Sequence, residues 1–250
     1  MPRYKLTIEY DGAPYQGWQW QDHAPTVQGV LERAAEQING SPTEVYGAGR
    51  TDSGVHALAM TAHVNFSKPL RADKVRDAMN FHLQSEPVSV LDAQDVSDEW
   101  HARFDAIERR YLYRLIDRRP KLALDKGRVW RLPVKLDAEL MHVAAQDLVG
   151  EHDFTTFRDT QCQAKSPVKT LDAIDVIRAG AEIHVHLRAR SFLHKQVRSV
   201  VGTLADIGRG YRGKDYIKES LAAKNRTACG QVAPPDGLYL VSVHYGDDSA

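Results

Sequence analysis

The chain has 250 residues, 33 Lys+Arg against 33 Asp+Glu, 42% hydrophobic and 26% charged residues. That balance excludes disordered, collagenous and coiled-coil classes, and no apolar run of about 18 residues is present to span a membrane. Cys162 and Cys229 stand far apart, without a CxxC pair, so neither a disulfide framework nor a thiolate zinc site is expected. The start, MPRYKLTIEYDG, has no apolar segment of the kind a secretory signal needs, and a cytoplasmic setting is the expectation.

Residues 4–10 alternate apolar and polar side chains as a half-buried strand does, and Asp11-Gly12 closes it. Pro25-Thr26 opens a helix with a stripe of Val27, Val30, Leu31, Ala34, Ala35 and Ile38, which Asn39-Gly40 ends. A short strand over 43–48 precedes a second with Met60, Ala62, Val64 and Phe66 on one face. The spacing then predicts a helix over 71–83 and strands at 88–91 and 110–116. Asp117-Arg118-Arg119-Pro120-Lys121 breaks the periodicity and divides an N-terminal domain, 1–117, from a C-terminal one, 118–250. Beyond it come a helix over 137–149, strands at 171–177 and 182–190, a helix from Ser191 to 207, a short helix at 215–223 and a strand at 238–245. Each half approximates β-α-β-β-α-β. The fold class expected is therefore α+β, with two ferredoxin-like, RRM-like halves whose antiparallel sheets flank a basic cleft. In the strand at 182–190, Ile183, Val185, Leu187 and Ala189 take one face and Glu182, His184, His186, Arg188 and Arg190 the other, predicting a largely basic open face.

Zero net charge hides an uneven distribution. Ten Lys/Arg against four acids lie between Arg103 and Arg131, and seven against one between Arg188 and Lys214. Phe104, Tyr111, Tyr113 and Trp130 are interleaved in the first stretch, Phe192 and Tyr211 in the second. Cations for phosphates with aromatic faces for unpaired bases fit RNA better than a small metabolite; a solvated basic face accounts equally well for either stretch taken singly.

Between two strands lies Gly47-Ala48-Gly49-Arg50-Thr51-Asp52-Ser53-Gly54-Val55-His56-Ala57. Its glycines indicate a loop with close backbone approaches, and Arg50 and Asp52, two residues apart in an extended segment, point the same way. A guanidinium beside a carboxylate favours the ionised form, which suits a nucleophile or an anionic base and not a general acid. On these residues alone, a salt bridge stabilising a turn explains the pattern as well. The glycine spacing is not that of a dinucleotide-binding loop.

The segment Gly49 to Ala57 resembles the active-site motif of the tRNA pseudouridine synthase A family. The resemblance includes Glu9-Tyr10-Asp11-Gly12, Tyr15-Gln16-Gly17-Trp18-Gln19, Phe104, Arg109-Arg110-Tyr111-Leu112-Tyr113, Gly150-Glu151-His152-Asp153-Phe154, Ser191-Phe192-Leu193 with Val197-Arg198 and Gly202, and Pro234 to Tyr245. It covers nearly the whole chain. Two departures are Ser53, where the family usually has alanine, and residues 80–86, which lack its Leu-Pro pair. The resemblance implies isomerisation of uridine to pseudouridine at nucleotides 38, 39 and 40 of the tRNA anticodon stem-loop, without cofactor or metal. Asp52 is then the catalytic nucleophile. Arg50 holds it ionised and fills the space of the displaced base, while Tyr111 stacks on the uracil and serves proton transfer. Arg110, Leu193 and Arg198 join Tyr111 in binding substrate. The implied partners are tRNA and a second copy of the chain in a homodimer, with no membrane.

Other candidates carry less. His184 and His186 share a strand face but lack a third metal ligand. Cys162 has only Lys165 nearby, His56 is expected to order the loop as a hydrogen-bond donor, and Trp18 and Trp20 are core or loop anchors. The competing expectations are a non-catalytic RNA-binding protein with RRM-like sheets and a related isomerase acting on ribosomal RNA.

Overall fold

Tyr4, Leu6, Ile8 and Tyr10 all turn inward along β1 (Arg3–Tyr10) in the computed structural model, which describes residues 1–246. The helix α1 (Val27–Asn39) follows; the Thr26 side chain accepts from the Gly29 amide and a left-handed Gly40 ends it. β2 (Val45–Gly47), β3 (His56–Asn65), α2 (Ala72–His82) and β4 (Val88–Val96) complete a first unit of Met1–Ile107. β1 pairs antiparallel with β3 and β4, and β2 antiparallel with β3. The order β4-β1-β3-β2 is that of a ferredoxin-like unit. Tyr4, Leu6 and Ile8 face the same way as Val64, Ala62 and Met60 and form the core with Val30, Leu31, Val75 and Met79 of the helices.

The opposite sheet face is covered. Lys5, His63 and Tyr46 stand in register across β1, β3 and β2, and the loop at 97–105 lies over them. The Lys5 ammonium sits 5.6 Å from the Trp100 ring and 5.0 Å from the Tyr245 ring, and the His63 ring stacks on Tyr46 at 5.0 Å. His63, 1% exposed, accepts from the Ala102 amide through Nδ1 (3.2 Å); burial, then Arg3 and His101, lower its pKa to about 4. An RRM stacks bases on this face. Here it is filled by the chain's own aromatic residues, which weighs against a passive RRM-like module.

The second unit, Glu108–Leu238, takes in most of β5 (Ala106–Asp117), then β6 (Trp130–Leu132), α3 (Ala138–Ala145), β7 (Gly150–Asp153), β8 (Val168–Leu171), β9 (Ala173–Ala179), β10 (Glu182–Ala189), α4 (Gln196–Gly208) and α5 (Tyr216–Ala223). Its antiparallel sheet runs β5-β10-β9. The final strand, β11 (Leu238–Tyr245), is grouped from Tyr239 onward with the first unit, where Tyr239 and Leu240 pair parallel with His56 and Ala57 of β3.

Three local expectations change. The strand at 171–177 is two strands broken at Asp172, and β7 and β8 form a separate ribbon. The helix expected from Ser191 starts at Gln196, because Lys195 holds a left-handed φ of 58° and the Gln196 side chain accepts from the Leu193 amide (2.8 Å) in place of a helical bond. The β10 face with Glu182, His184, His186 and Arg188 is less basic than its cations suggest. Arg114 forks onto Glu182 (2.9 and 2.6 Å), and Glu108 accepts from both Arg110 (2.7 Å) and Arg188 (3.3 Å).

Candidate active site

In the first unit the segment 48–55 joins β2 to β3 and carries Arg50 and Asp52. Its first end is tied by the Ala48 amide to the Thr61 carbonyl (2.8 Å), and its second forms a turn in which the Val55 amide donates to the Asp52 carbonyl (3.1 Å). Thr51 is buried, whereas Asp52 is half-buried and Arg50 exposed, as an extended backbone with alternating sides gives.

A second segment, Gly12 to Trp18, clamps this loop. The Trp18 amide donates to the Thr51 carbonyl (3.1 Å), the Gly54 amide to the Tyr15 carbonyl (3.3 Å), and the Tyr10 hydroxyl pairs with Thr51 Oγ1 (2.8 Å) in a buried contact. Ser53 Oγ adds a bond to the Tyr15 carbonyl (3.3 Å), a use the alanine usual in the family does not have. Two glycines make this approach possible. Gly17 has φ 93° and a Cβ there would stand 2.6 Å from the Thr51 carbonyl oxygen; one on Gly12 would stand 2.0 Å from that of Val55. The sequence segments quoted for the family resemblance thus interlock, and what they fix is the backbone on both sides of Asp52.

Behind the clamp, the buried Tyr15 donates its hydroxyl to Glu86 Oε2 (2.8 Å), and Arg33 stands 3.5 Å from the same carboxylate. Burial, then Glu86, push the Tyr15 phenol well above its ordinary range, so it remains a donor. Glu86 belongs to the segment that departs from the family pattern. Neither Tyr15 nor Glu86 was a sequence candidate, because a tyrosine in a loop and a distant glutamate share no spacing. His56 differs from expectation: its Nδ1 accepts from the Gly12 amide (3.1 Å), with Asp11 Oδ1 also 3.1 Å away, and its ring stacks on Tyr239 at 4.8 Å. Trp18 is buried in this unit and Trp20 is half exposed.

The remaining candidates lie in the second unit. Tyr111 on β5 is opposite Leu187 of β10, on the inward face shared with Tyr113 and Val185, and is half-buried with its ring edge-on to Phe192 (5.1 Å). Leu193, next to Phe192, is buried. Arg198 on α4 donates from Nε to the Ala233 carbonyl (2.8 Å), and the Ala233 amide returns to the Arg198 carbonyl (3.0 Å). Arg110 is not beside Tyr111: it points to the other sheet face, across from Arg188 and bonded to Glu108. Tyr111 and the Phe192-Leu193 corner are brought together; Arg110 is separated from them by the sheet. Lys195 is held by Asp159 (2.7 Å) at the turn that presents this corner.

His184 and His186 do not make half a metal site. Their rings are 6.0 Å apart and edge-on, and His184 is bonded to Glu182 (2.8 Å), whose pKa falls to about 2 through Arg114 first and His184 second. Among the described residues no cluster of three His, Cys, Asp or Glu side chains is spaced to hold a metal ion, and no helix is long and apolar enough to cross a membrane. The result is a carboxylate half-open to solvent on a loop fixed at both flanks, a geometry that can hold an anionic oxygen in one orientation toward a ligand.

The family described as tRNA pseudouridine synthase matches residues 6–105 and 144–246. The chain is 62% identical over 245 residues to the tRNA pseudouridine synthase A of Maricaulis maris (strain MCS10), covering 98% of each chain. It is 58% identical to those of Bradyrhizobium sp. (strain BTAi1) and Rhodopseudomonas palustris (strain HaA2), covering 98% of this chain and 100% of each relative. Among solved structures, a Cbf5-Nop10-Gar1 complex aligns with a TM-score of 0.36 and 10% identity over 81% of this chain and 44% of that one.

Proposed function

The chain belongs to the tRNA pseudouridine synthase family, and from that premise we propose that it isomerises uridine to pseudouridine at nucleotides 38, 39 and 40 of the tRNA anticodon stem-loop, with Asp52 as its catalytic nucleophile. The net change is balanced within one nucleotide. The N1–C1′ bond breaks, the uracil turns, a C5–C1′ bond forms, C5 loses its proton and N1 gains one. The reaction needs the base out of its stack, since C1′ and C6 are shielded inside a helix. It also needs an anionic group fixed at the sugar or the ring.

The observation that carries this reading is the clamp on the Asp52 loop. A passive RNA-binding surface gains nothing from a carboxylate presented to a polyanion, whereas a reaction with electron demand at C1′ or C6 does. Arg50 occupies the place of the displaced base. Tyr111, supported by Phe192, stacks on the uracil and takes part in removal of the C5 proton. Leu193 and Arg198 bind the nucleotide, and Arg110 contributes charge. The enzyme works in the cytoplasm as a homodimer.

The test is direct. Purified protein, with no metal added, is incubated with unmodified tRNA and the pseudouridines are mapped. Modification confined to nucleotides 38–40, abolished in Asp52→Ala while tRNA binding persists, supports the reading; turnover surviving in Asp52→Ala, or modification elsewhere, overturns it. Sedimentation equilibrium at a monomer mass overturns the homodimer.

A further inference from the structure

Five cations of the two positive stretches have carboxylate partners within the protein. Glu108 pairs Arg110 and Arg188, Glu182 pairs Arg114, Asp159 pairs Lys195 and Asp206 pairs Arg209. A different group in the second unit does not. Among the described residues, Arg118, Arg119, Lys121, Arg131, Arg212 and Lys214 form no ion pair with a carboxylate. All but Arg131, which is half-buried, are exposed.

Contacts tie five of these residues into two neighbouring loops, and Lys214 follows Arg212 by two residues. Arg131 Nη1 donates to the carbonyls of Arg119 (2.9 Å) and Arg118 (3.4 Å), and Arg118 Nη2 to that of Lys121 (3.5 Å). A guanidinium bonded to neutral carbonyls fixes the loop without cancelling its charge. Trp130, the neighbour of Arg131 on β6, lies under the Arg209 guanidinium (5.9 Å), which also lies over the Tyr211 ring (5.3 Å). Tyr211 is 67% exposed, and the next residue, Arg212, stands over Tyr216 at 4.6 Å. The Trp130–Arg209–Tyr211 stack therefore joins the loop at 118–131 to the loop at 209–214. Six like charges on one surface, in a protein whose acids and bases are equal in number, repel one another unless an anion meets them.

We propose that the surface built from Arg118, Arg119, Lys121, Arg131, Arg212 and Lys214 binds the phosphate backbone of the substrate RNA, with the exposed Tyr211 ring resting against a sugar or base. The inference rests on the tRNA reading and deepens it by assigning an electrostatic contact outside the Asp52 loop. A polyanion is favoured because the cations are spread over two loops, as successive phosphates are, and because an aromatic face stands among them.

The experiment measures the affinity of the full chain for unmodified tRNA as a function of monovalent salt. Each phosphate contact contributes about 0.9 to the slope of log K against log salt on duplex RNA treated like duplex DNA, so the triple variant Arg118→Gln/Arg119→Gln/Arg212→Gln flattens that slope by roughly 2 to 3. The charge-preserving triple Arg118→Lys/Arg119→Lys/Arg212→Lys retains it, since a phosphate is satisfied by a point charge. Melting curves confirm that both proteins fold. An unchanged slope in the Gln triple overturns the proposal, as does an unchanged slope combined with lost binding to phosphatidylglycerol vesicles, which assigns the surface to lipid. Wild-type protein that binds tRNA but forms no pseudouridine fails the functional reading and leaves the slope comparison intact.

Discussion

Gly17→Ala isolates the clamp from the chemistry, because Gly17 touches the Asp52 loop only through backbone. An added Cβ lies 2.6 Å from the Thr51 carbonyl oxygen, where ordinary contact begins at 3.4 Å. The two segments must separate by about 0.8 Å, and Thr51 cannot yield alone, since the Trp18 amide and the Tyr10 hydroxyl hold it. The shift passes to Asp52, one residue on. A displacement near 1 Å at a reacting group costs on the order of 10²-fold in rate, or about 2.7 kcal/mol of barrier. The φ of 93° at Gly17 adds roughly 1–2 kcal/mol of fold destabilisation for any residue with a Cβ. The rate is read in a single turnover from release of tritium at C5 of labelled uridine, a proton the isomerisation must lose, and tRNA affinity is measured separately. The expected result is a rate lowered about a hundredfold with affinity within a few-fold of wild type. Gly49→Ala, in the same loop but with nothing within 4 Å of the added Cβ, keeps the wild-type melting temperature. A Gly17→Ala enzyme that turns over at the wild-type rate refutes the idea that the clamp positions Asp52.

Two further outcomes concern stability. Asp117 is 1% exposed and holds Arg178 (2.7 and 3.1 Å), Lys135 (3.3 Å) and the Leu136 amide (3.1 Å); burial raises its pKa, but Arg178 and the amide outweigh it and bring the value to about 2. A depressed folded pKa contributes stability that is complete above the ordinary carboxylate range and fades as pH falls toward 2, so the gap between wild type and Asp117→Asn, at least about 2 kcal/mol at pH 6, shrinks by roughly 1.5 kcal/mol at pH 2.5. Denaturant melts at the two pH values check it, and an equal gap at both contradicts the assignment. Thr156, fully buried, donates to the Ser220 carbonyl (2.6 Å) and accepts from the Asn225 amide (3.0 Å); Thr156→Val keeps the shape, strands both groups and lowers stability by about 2–3 kcal/mol in the same assay, while a loss below about 0.5 kcal/mol tells against those bonds.

Alternation and helical spacing were enough for the first unit. Leu6 and Ile8 on β1, the Thr26 cap and the stripe of α1 are local signals, and their order led directly to the ferredoxin-like arrangement. The misread helix start at Ser191 has a non-local cause, since Lys195 keeps its left-handed backbone while Asp159, 36 residues away in sequence, holds its ammonium. Charge was legible as a sum and not as a pattern of partners. Glu108 lies two residues from Arg110 but is shared with Arg188 across the sheet, a pairing that register alone decides. At the site, Asp52 and Arg50 were visible because their loop is a dense motif. The pairing of Tyr15 with Glu86 was not, because a hydrogen bond across 71 residues leaves no periodicity behind.

The first unit is interrupted in sequence: between Ile107 and Tyr239 the whole second unit intervenes before Tyr239 closes onto His56. A chain made from its amino end at about 5–20 residues per second therefore displays the Asp52 loop for roughly 10–40 seconds before the strand that backs His56 leaves the ribosome. The ring that stacks on His56 is thus among the last pieces of the first unit to be made. A nascent chain therefore holds every partner of the Asp52 clamp well before it holds the ring that packs on His56.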